Sequence, residues 1–114
     1  MEWTEQRPWG RFKNLLDSAE TKVKLIEVDA GKRLSYQSHE QRRESWTVVS
    51  GQATVTLNEK DHSLSAGEHI DIPVQAKHRI RNDGPKTLRF VEVQTGQYFG
   101  EDDIKRYEDD FGRN

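Results

Sequence analysis

The 114 residues have room for one domain with one core and a single active site. Apolar residues make up 32% and charged residues 33%, but 18 basic and 20 acidic side chains nearly cancel to a net charge of -2. That balance argues against disorder, and it leaves neither a basic stripe for nucleic acid nor a polyacidic tail. There is no cysteine, so disulfides and thiolate metal sites are excluded and any metal must be held by nitrogen and oxygen ligands.

The chain opens on Met1-Glu2-Trp3-Thr4-Glu5, which lacks the basic and apolar blocks of a signal peptide, and no apolar run approaches the roughly 20 residues that span a bilayer. A cytoplasmic protein without membrane or nucleic-acid partners is expected. Within residues 1–21, Arg7-Pro8-Trp9-Gly10 can form an extended arm. From Lys22 to Gln94 apolar residues recur mostly at alternate positions in short runs, which is strand periodicity. Val23 to Val28 ends in Asp29-Ala30-Gly31, Leu34 to His39 in the polar Glu40-Gln41-Arg42-Arg43, and Trp46 to Val49 in Ser50-Gly51. Val55 to Leu57 precedes Asn58-Glu59-Lys60-Asp61; Leu64, Ile70 to Pro73, Ile80 and Leu88 to Val93 follow. Many short strands with no crossover helix mean an all-β barrel or sandwich. Ile104, Tyr107 and Phe111 stand at helical spacing, so a short C-terminal helix packed on the barrel is expected.

Gln37 and His39 are two apart, so on a strand they face the same side. Glu44 lies beyond a short polar turn and is expected to begin the next antiparallel strand, folding back beside the first. His78 comes from a later strand, and in a rolled barrel it can join them. Imidazole nitrogens, a carboxylate and an amide oxygen suit zinc, iron, manganese, cobalt or nickel without choosing among them. Water in the remaining positions leaves the open site that catalysis needs. His62 and His69 have no ligand partners in the spacing.

The run Gly31, Gln37, His39, Glu44, Gly51 and the later run Gly67, Pro73, His78, Asn82 resemble the paired motifs of the cupin superfamily, a double-stranded β-helix. In most cupins a histidine stands at the place of Gln37 and a glycine at the place of Gln75. The glutamine narrows the likeness. Leu34-Ser35-Tyr36-Gln37-Ser38-His39 with Arg42, Glu44, Trp46, Val48, Val49 and Gly51 resembles type II mannose-6-phosphate isomerases, usually the C-terminal half of bifunctional mannose-1-phosphate guanylyltransferases. The resemblance runs from Arg7-Pro8-Trp9-Gly10 through Glu92-Val93-Gln94-Thr95-Gly96 to Arg106 and Phe111-Gly112-Arg113. It implies a zinc-type ion on Gln37, His39, Glu44 and His78, and a sugar phosphate as the partner molecule. The family usually carries histidine directly after the glutamate; this chain has Ser45 there.

Isomerisation between aldose and ketose moves a proton between C1 and C2, so a base is needed besides the metal. Lys24 shares a strand face with Ile26 and Val28, and it either enters the barrel or snorkels at its rim. Glu92 shares a face with Phe90 and Gln94, while Val91 and Val93 offer the competing apolar face. Arg42, Arg79 and Arg113 are candidate phosphate ligands at the barrel mouth, since guanidinium geometry suits phosphate. Trp46, Phe90 and Tyr36 read as packing. Three functions compete: a metal-dependent isomerase of mannose-6-phosphate and fructose-6-phosphate, a metalloenzyme of another class such as an iron dioxygenase, and a metabolite-binding cupin without turnover. A homodimer is expected, because a chain this small gains buried area from a partner.

Overall fold

The computed structural model describes residues 2–110. Among these described residues, eleven strands form two antiparallel sheets. The first contains β1 (Glu5–Arg7), β2 (Gly10–Asp17), β3 (Thr21–Val28), β10 (Leu88–Gly96), β5 (Arg42–Ser50) and β8 (His69–Ile72) in that spatial order. The second contains β11 (Ile104–Glu108), β4 (Tyr36–His39), β9 (His78–Arg81), β6 (Ala53–Leu57) and β7 (Lys60–Leu64). No helix among the described residues is long and apolar enough to cross a membrane.

Alternation fixes which face of each strand is inner. In β10, Leu88, Phe90, Glu92 and Gln94 are buried while the residues between them are half-buried or exposed, so the Phe90 face and not the Val91 face looks into the barrel. In β5 the buried set is Arg42, Glu44, Trp46 and Val48. Val28, Val55, Ile72, Ile80 and Leu88 fill the space between the sheets with Trp46 and Phe90, whose rings stand 5.5 Å apart. Asn82 closes the far end: its amide donates to the carbonyls of Val28 and Lys86, and its Oδ1 accepts from Gly84 N–H.

Three expectations from the sequence are corrected. Among the described residues the tail forms no α-helix, and Phe111 of the expected helix lies outside them. A single 3-10 turn at Glu101–Asp103 leads into β11, which pairs with β4 as Ile104↔His39 and Arg106↔Gln37. A register shift between Arg106 and Glu108 turns both Tyr107 and Glu108 outward, where Tyr107 meets the Ser38 hydroxyl and Glu108 meets Arg79. Ile104 and Tyr107 therefore face opposite sides of β11, as residues three apart on a strand do, and their helical spacing reflects no shared face. Second, β4 and β5 do not form a hairpin. Only Glu40 and Gln41 separate them, yet they belong to different sheets, so the chain crosses the barrel wall instead of folding back in register. Third, residues 10–17 are a full strand of the first sheet and not only an arm.

Gly96 makes the crossing possible. It pairs with Arg42 at the start of β5, and with φ +155 a Cβ there would stand 2.4 Å from the Gln41 carbonyl oxygen and 3.1 Å from Arg42 Cα. The obstacle is backbone, which cannot swing aside as a side chain can. Gly96→Ala is therefore expected to cost about 1–3 kcal/mol of stability, read from denaturant midpoints. A midpoint equal to that of the unmodified protein contradicts the close approach.

Candidate metal centre and cavity

The wall crossing sets Glu44 opposite His39 and His78, across the lumen and not along one ladder. One ligand atom from each of the three lies within 4.8 Å of the others, and all three side chains are almost wholly buried. His39 Nε2 is 3.1 Å from Glu44 Oε2, and His78 Nε2 is 3.9 Å from Glu44 Oε1. The two imidazoles stand 5.0 Å apart, and the Trp46 ring meets His78 edge-on at 5.5 Å. Gln37 lies opposite His78 in the β4–β9 pairing, and its side chain lines the adjoining cavity.

The hydrogen bonds say which atoms are available to an ion. His78 Nδ1 lies 2.9 Å from the Ala76 carbonyl oxygen; a carbonyl only accepts, so Nδ1 carries the proton and Nε2 keeps a lone pair. That Nε2 is buried with no hydrogen-bond partner. An unpaired buried acceptor normally costs free energy, and a divalent cation is the group that would satisfy a neutral imidazole beside a carboxylate. Burial pushes the His78 imidazole pKa down, against the pull of Glu44 and the Ala76 carbonyl, which favours the neutral, ligating form. The donor set therefore fits a divalent ion.

Glu44 is prepared from the side. Burial pushes its pKa up, but the hydrogen bond with His39, the neighbouring His78 imidazole and the charge of Arg42 outweigh it and hold Glu44 well below the usual carboxylate range. Arg42 Nε donates to Glu44 Oε2 at 3.0 Å, and its Nη2 is 3.2 Å from His39 Nε2. Arg42 was expected in a turn at the mouth. The structure makes it the first residue of β5, buried against the ligand cluster.

Glu92 occupies the other side of the same space. Trp46 Nε1 stands 3.0 Å from both Glu44 Oε1 and Glu92 Oε1, so one indole N–H bridges two carboxyl groups. Gln94 Nε2 donates to Glu92 Oε2 at 2.7 Å. Burial, followed by the charge of Glu44, pushes the Glu92 pKa up to about 8. Lys24 is the direct cross-strand neighbour of Glu92 and lies with its ammonium 4.3 Å from the centroid of the Phe12 ring. Lys24, Gln37, Arg42 and Glu92 line one open cavity, together with Arg7 and Arg106.

The remaining candidates lie elsewhere. Arg79 was expected at the mouth, but it follows His78 on β9 and so faces the opposite side. Its guanidinium donates to the Leu34 carbonyl and to Glu108 Oε1, outside the cavity. Arg113 lies outside the described residues. Ser45 points away from His39, Glu44 and His78: it sits between Val93 and Asp71 on the outer face of the first sheet. A histidine at this position, as the family usually has, would stand on the far side of the sheet from His39 and His78. Gln75, where most cupins have glycine, adopts φ 67; its side chain donates to Glu40 and its backbone N–H to the His39 carbonyl. Sequence reasoning overlooked Arg7 and Arg106 as cavity residues, and Trp46 as a hydrogen-bonding group. Arg106 carried a signal, since alternation places it on the same face as Ile104.

The family described as Mannose-6-phosphate isomerase C-terminal matches residues 1–109. The chain is 44% identical over 108 residues to the alginate biosynthesis protein AlgA of Pseudomonas syringae pv. tomato, covering 95% of this chain and 22% of that protein. It is 44% identical over 107 residues to the xanthan biosynthesis protein XanB of Xanthomonas campestris pv. campestris, covering 94% and 23%. It is 40% identical over 108 residues to a mannose-1-phosphate guanylyltransferase of Salmonella montevideo, covering 95% and 23%. The chain thus spans less than a quarter of the length of these relatives. Among solved structures, KdgF from Halomonas sp. superposes with a TM-score of 0.76 at 20% identity over 90% of each chain. CapF from Staphylococcus aureus superposes with a TM-score of 0.79 at 20% identity, over 91% of this chain and 33% of that one. A double-stranded β-helix protein from Klebsiella pneumoniae superposes with a TM-score of 0.75 at 24% identity, over 84% and 77%. These neighbours show the cupin double-stranded β-helix.

The raised Glu92 pKa has a consequence for stability. In protein stripped of divalent cations, the folded pKa of about 8 exceeds the ordinary 4.5, so the protonated carboxyl favours the fold. That contribution is complete below the ordinary value and is lost as pH rises through about 8. In Glu92→Gln, half a turn of the Gln94 amide lets its otherwise unpartnered oxygen accept from the new side chain. Thermal melts at about pH 5 and about pH 9 are expected to show a smaller loss of Tm in Glu92→Gln than in the unmodified protein. Equal losses contradict the assignment.

Proposed function

This chain belongs to the mannose-6-phosphate isomerase C-terminal family, and from that premise we propose that its barrel interconverts mannose-6-phosphate and fructose-6-phosphate with a divalent ion, zinc foremost. Gln37, His39, Glu44 and His78 would hold the ion. The observation that carries the reading is the pairing of a buried, unpartnered His78 Nε2 beside Glu44 with a second carboxyl, Glu92, whose pKa is pushed in the opposite direction. Two carboxyl groups driven apart in this way take different roles, one as ligand and one as proton carrier.

When bound, the ion supplies a Lewis acid that polarises the sugar carbonyl and hydroxyl oxygens. Glu92 moves the proton. In the aldose-to-ketose direction its carboxylate takes the proton from C2 and, in the same cavity, returns it to C1, while the hydroxyl proton of O2 passes to O1, so that the aldehyde becomes a primary alcohol and C2 a ketone. A cation on Glu44 would lower the pKa of Glu92 from about 8 and make the carboxylate form available at neutral pH. Lys24, across the strand pair from Glu92, presents positive charge to the oxygen on which negative charge develops. Trp46 keeps both carboxyl groups in place through its shared N–H.

The outward position of Ser45 supports turnover over a binding module that lost it, because the family histidine would face away from the cavity. A coupled assay tests this. Protein loaded with zinc or manganese is expected to convert mannose-6-phosphate, to stop with chelator and to recover with added metal. Glu92→Gln is expected to lower kcat about a hundredfold or more, and Ser45→His to leave kcat within about twofold, as surface changes do. An absence of conversion at saturating zinc and manganese contradicts the isomerase reading. An inactive chain that gains turnover through Ser45→His favours the binding module.

A further inference from the structure

The charge of the cavity differs in sign from that of the chain. Overall the protein carries -2, whereas Arg7, Lys24, Arg42 and Arg106 line the cavity against one acidic residue, Glu92. Arg42 is compensated internally by Glu44. The two outer cations come from opposite walls. Arg7 ends β1, the edge strand of the first sheet, and Arg106 lies on β11, the edge strand of the second. The Nε of Arg106 is buried without a hydrogen-bond partner, an unusual state for a guanidinium donor that a ligand would relieve. Arg7 pairs with exposed Glu5 and lies over the Phe12 ring at 5.6 Å, the same ring that Lys24 approaches to 4.3 Å. The two cations therefore stand within about 10 Å of each other. In the ladder Arg106 is the partner of Gln37, so a group anchored at Arg106 lies beside the proposed metal ligands.

We infer that Arg7 and Arg106 form the subsite for the phosphate monoester of the substrate, closing on it from the two sheet edges, while the sugar carbons reach inward to Glu92 and Lys24. This assignment rests on the sugar-phosphate reading of the site. It places the phosphate on residues other than Arg79, which faces outward onto Glu108, and Arg42, which serves Glu44. Arginine suits the task because its planar fork matches phosphate oxygens and its charge does not titrate. Both residues are positioning groups and not proton carriers, so their loss acts on binding.

Calorimetric titration of the full chain with inorganic phosphate separates this inference from catalysis. Arg7→Gln and Arg106→Gln are each expected to weaken phosphate binding about tenfold or more. Arg106→Lys is expected to retain part of it, and Arg33→Gln, on the outer face, to change nothing. In the coupled assay the same two glutamine variants are expected to raise KM for mannose-6-phosphate by a similar factor with kcat little altered, and mannose without its phosphate is expected to bind far more weakly. Thermal melts and the Arg106→Lys variant distinguish a lost contact from a lost fold. Phosphate binding that depends on Arg106 in a chain without isomerase activity sustains the subsite and overturns the isomerase. Unaltered phosphate affinity in both glutamine variants, an unchanged KM in them, or no saturable phosphate binding by the unmodified protein overturns the subsite.

Discussion

The structure turns on one buried carboxylate. Glu44 is 4% exposed, and an ionised carboxylate in such a place costs several kcal/mol unless charges and hydrogen bonds replace its water. Arg42, His39, His78 and the Trp46 indole supply that replacement from three different strands. Orienting Glu44 inward also fixes the rest of β5. Arg42, Trp46 and Val48 follow it into the lumen, and Arg43, Ser45 and Thr47 are forced outward. A shift of one residue would reverse every one of these placements and strand the carboxylate.

The same constraint organises the cavity chemically. Glu44 and Glu92 share the Trp46 N–H, and two carboxyl groups so close cannot both ionise cheaply. Arg42 and the histidines settle the matter in favour of Glu44, which leaves Glu92 protonated to an unusually high pH. Within one lumen the fold thus sets an ionised carboxylate beside a protonated carboxyl group. Glu92 in turn faces Lys24 and the basic mouth.

Much of this was legible in the sequence, and the gaps have physical causes. Alternation from Lys22 to Gln94 gave the all-β barrel, and the two-residue spacing of Gln37 and His39 placed them correctly on one inner face. Alternation could not choose between the Phe90 and Val91 faces of β10, because both are apolar; packing against Trp46 decides it. The link from His39 to Glu44 read as a hairpin because a short polar turn usually reverses a strand within its own sheet, whereas here the chain passes to the other sheet, with Gly96 packed against the crossing backbone. Tyr107 misled because an aromatic side chain on the outer face of β11 falls three residues after inward Ile104, and spacing alone does not show that the outer one packs on Ser38 and not on the Ile104 face. The basic rim was overlooked because Arg7 and Arg106 lie near opposite ends of the chain, and only the two sheet edges bring them to one opening.

The proposed binding of one divalent ion by His39, Glu44 and His78 is tested by elemental analysis after zinc or manganese is added to chelator-stripped protein and the excess removed. One ion is expected to be retained per chain, and to be lost in a folded His78→Ala variant. Full retention by that variant, or none by the unmodified protein, would contradict it.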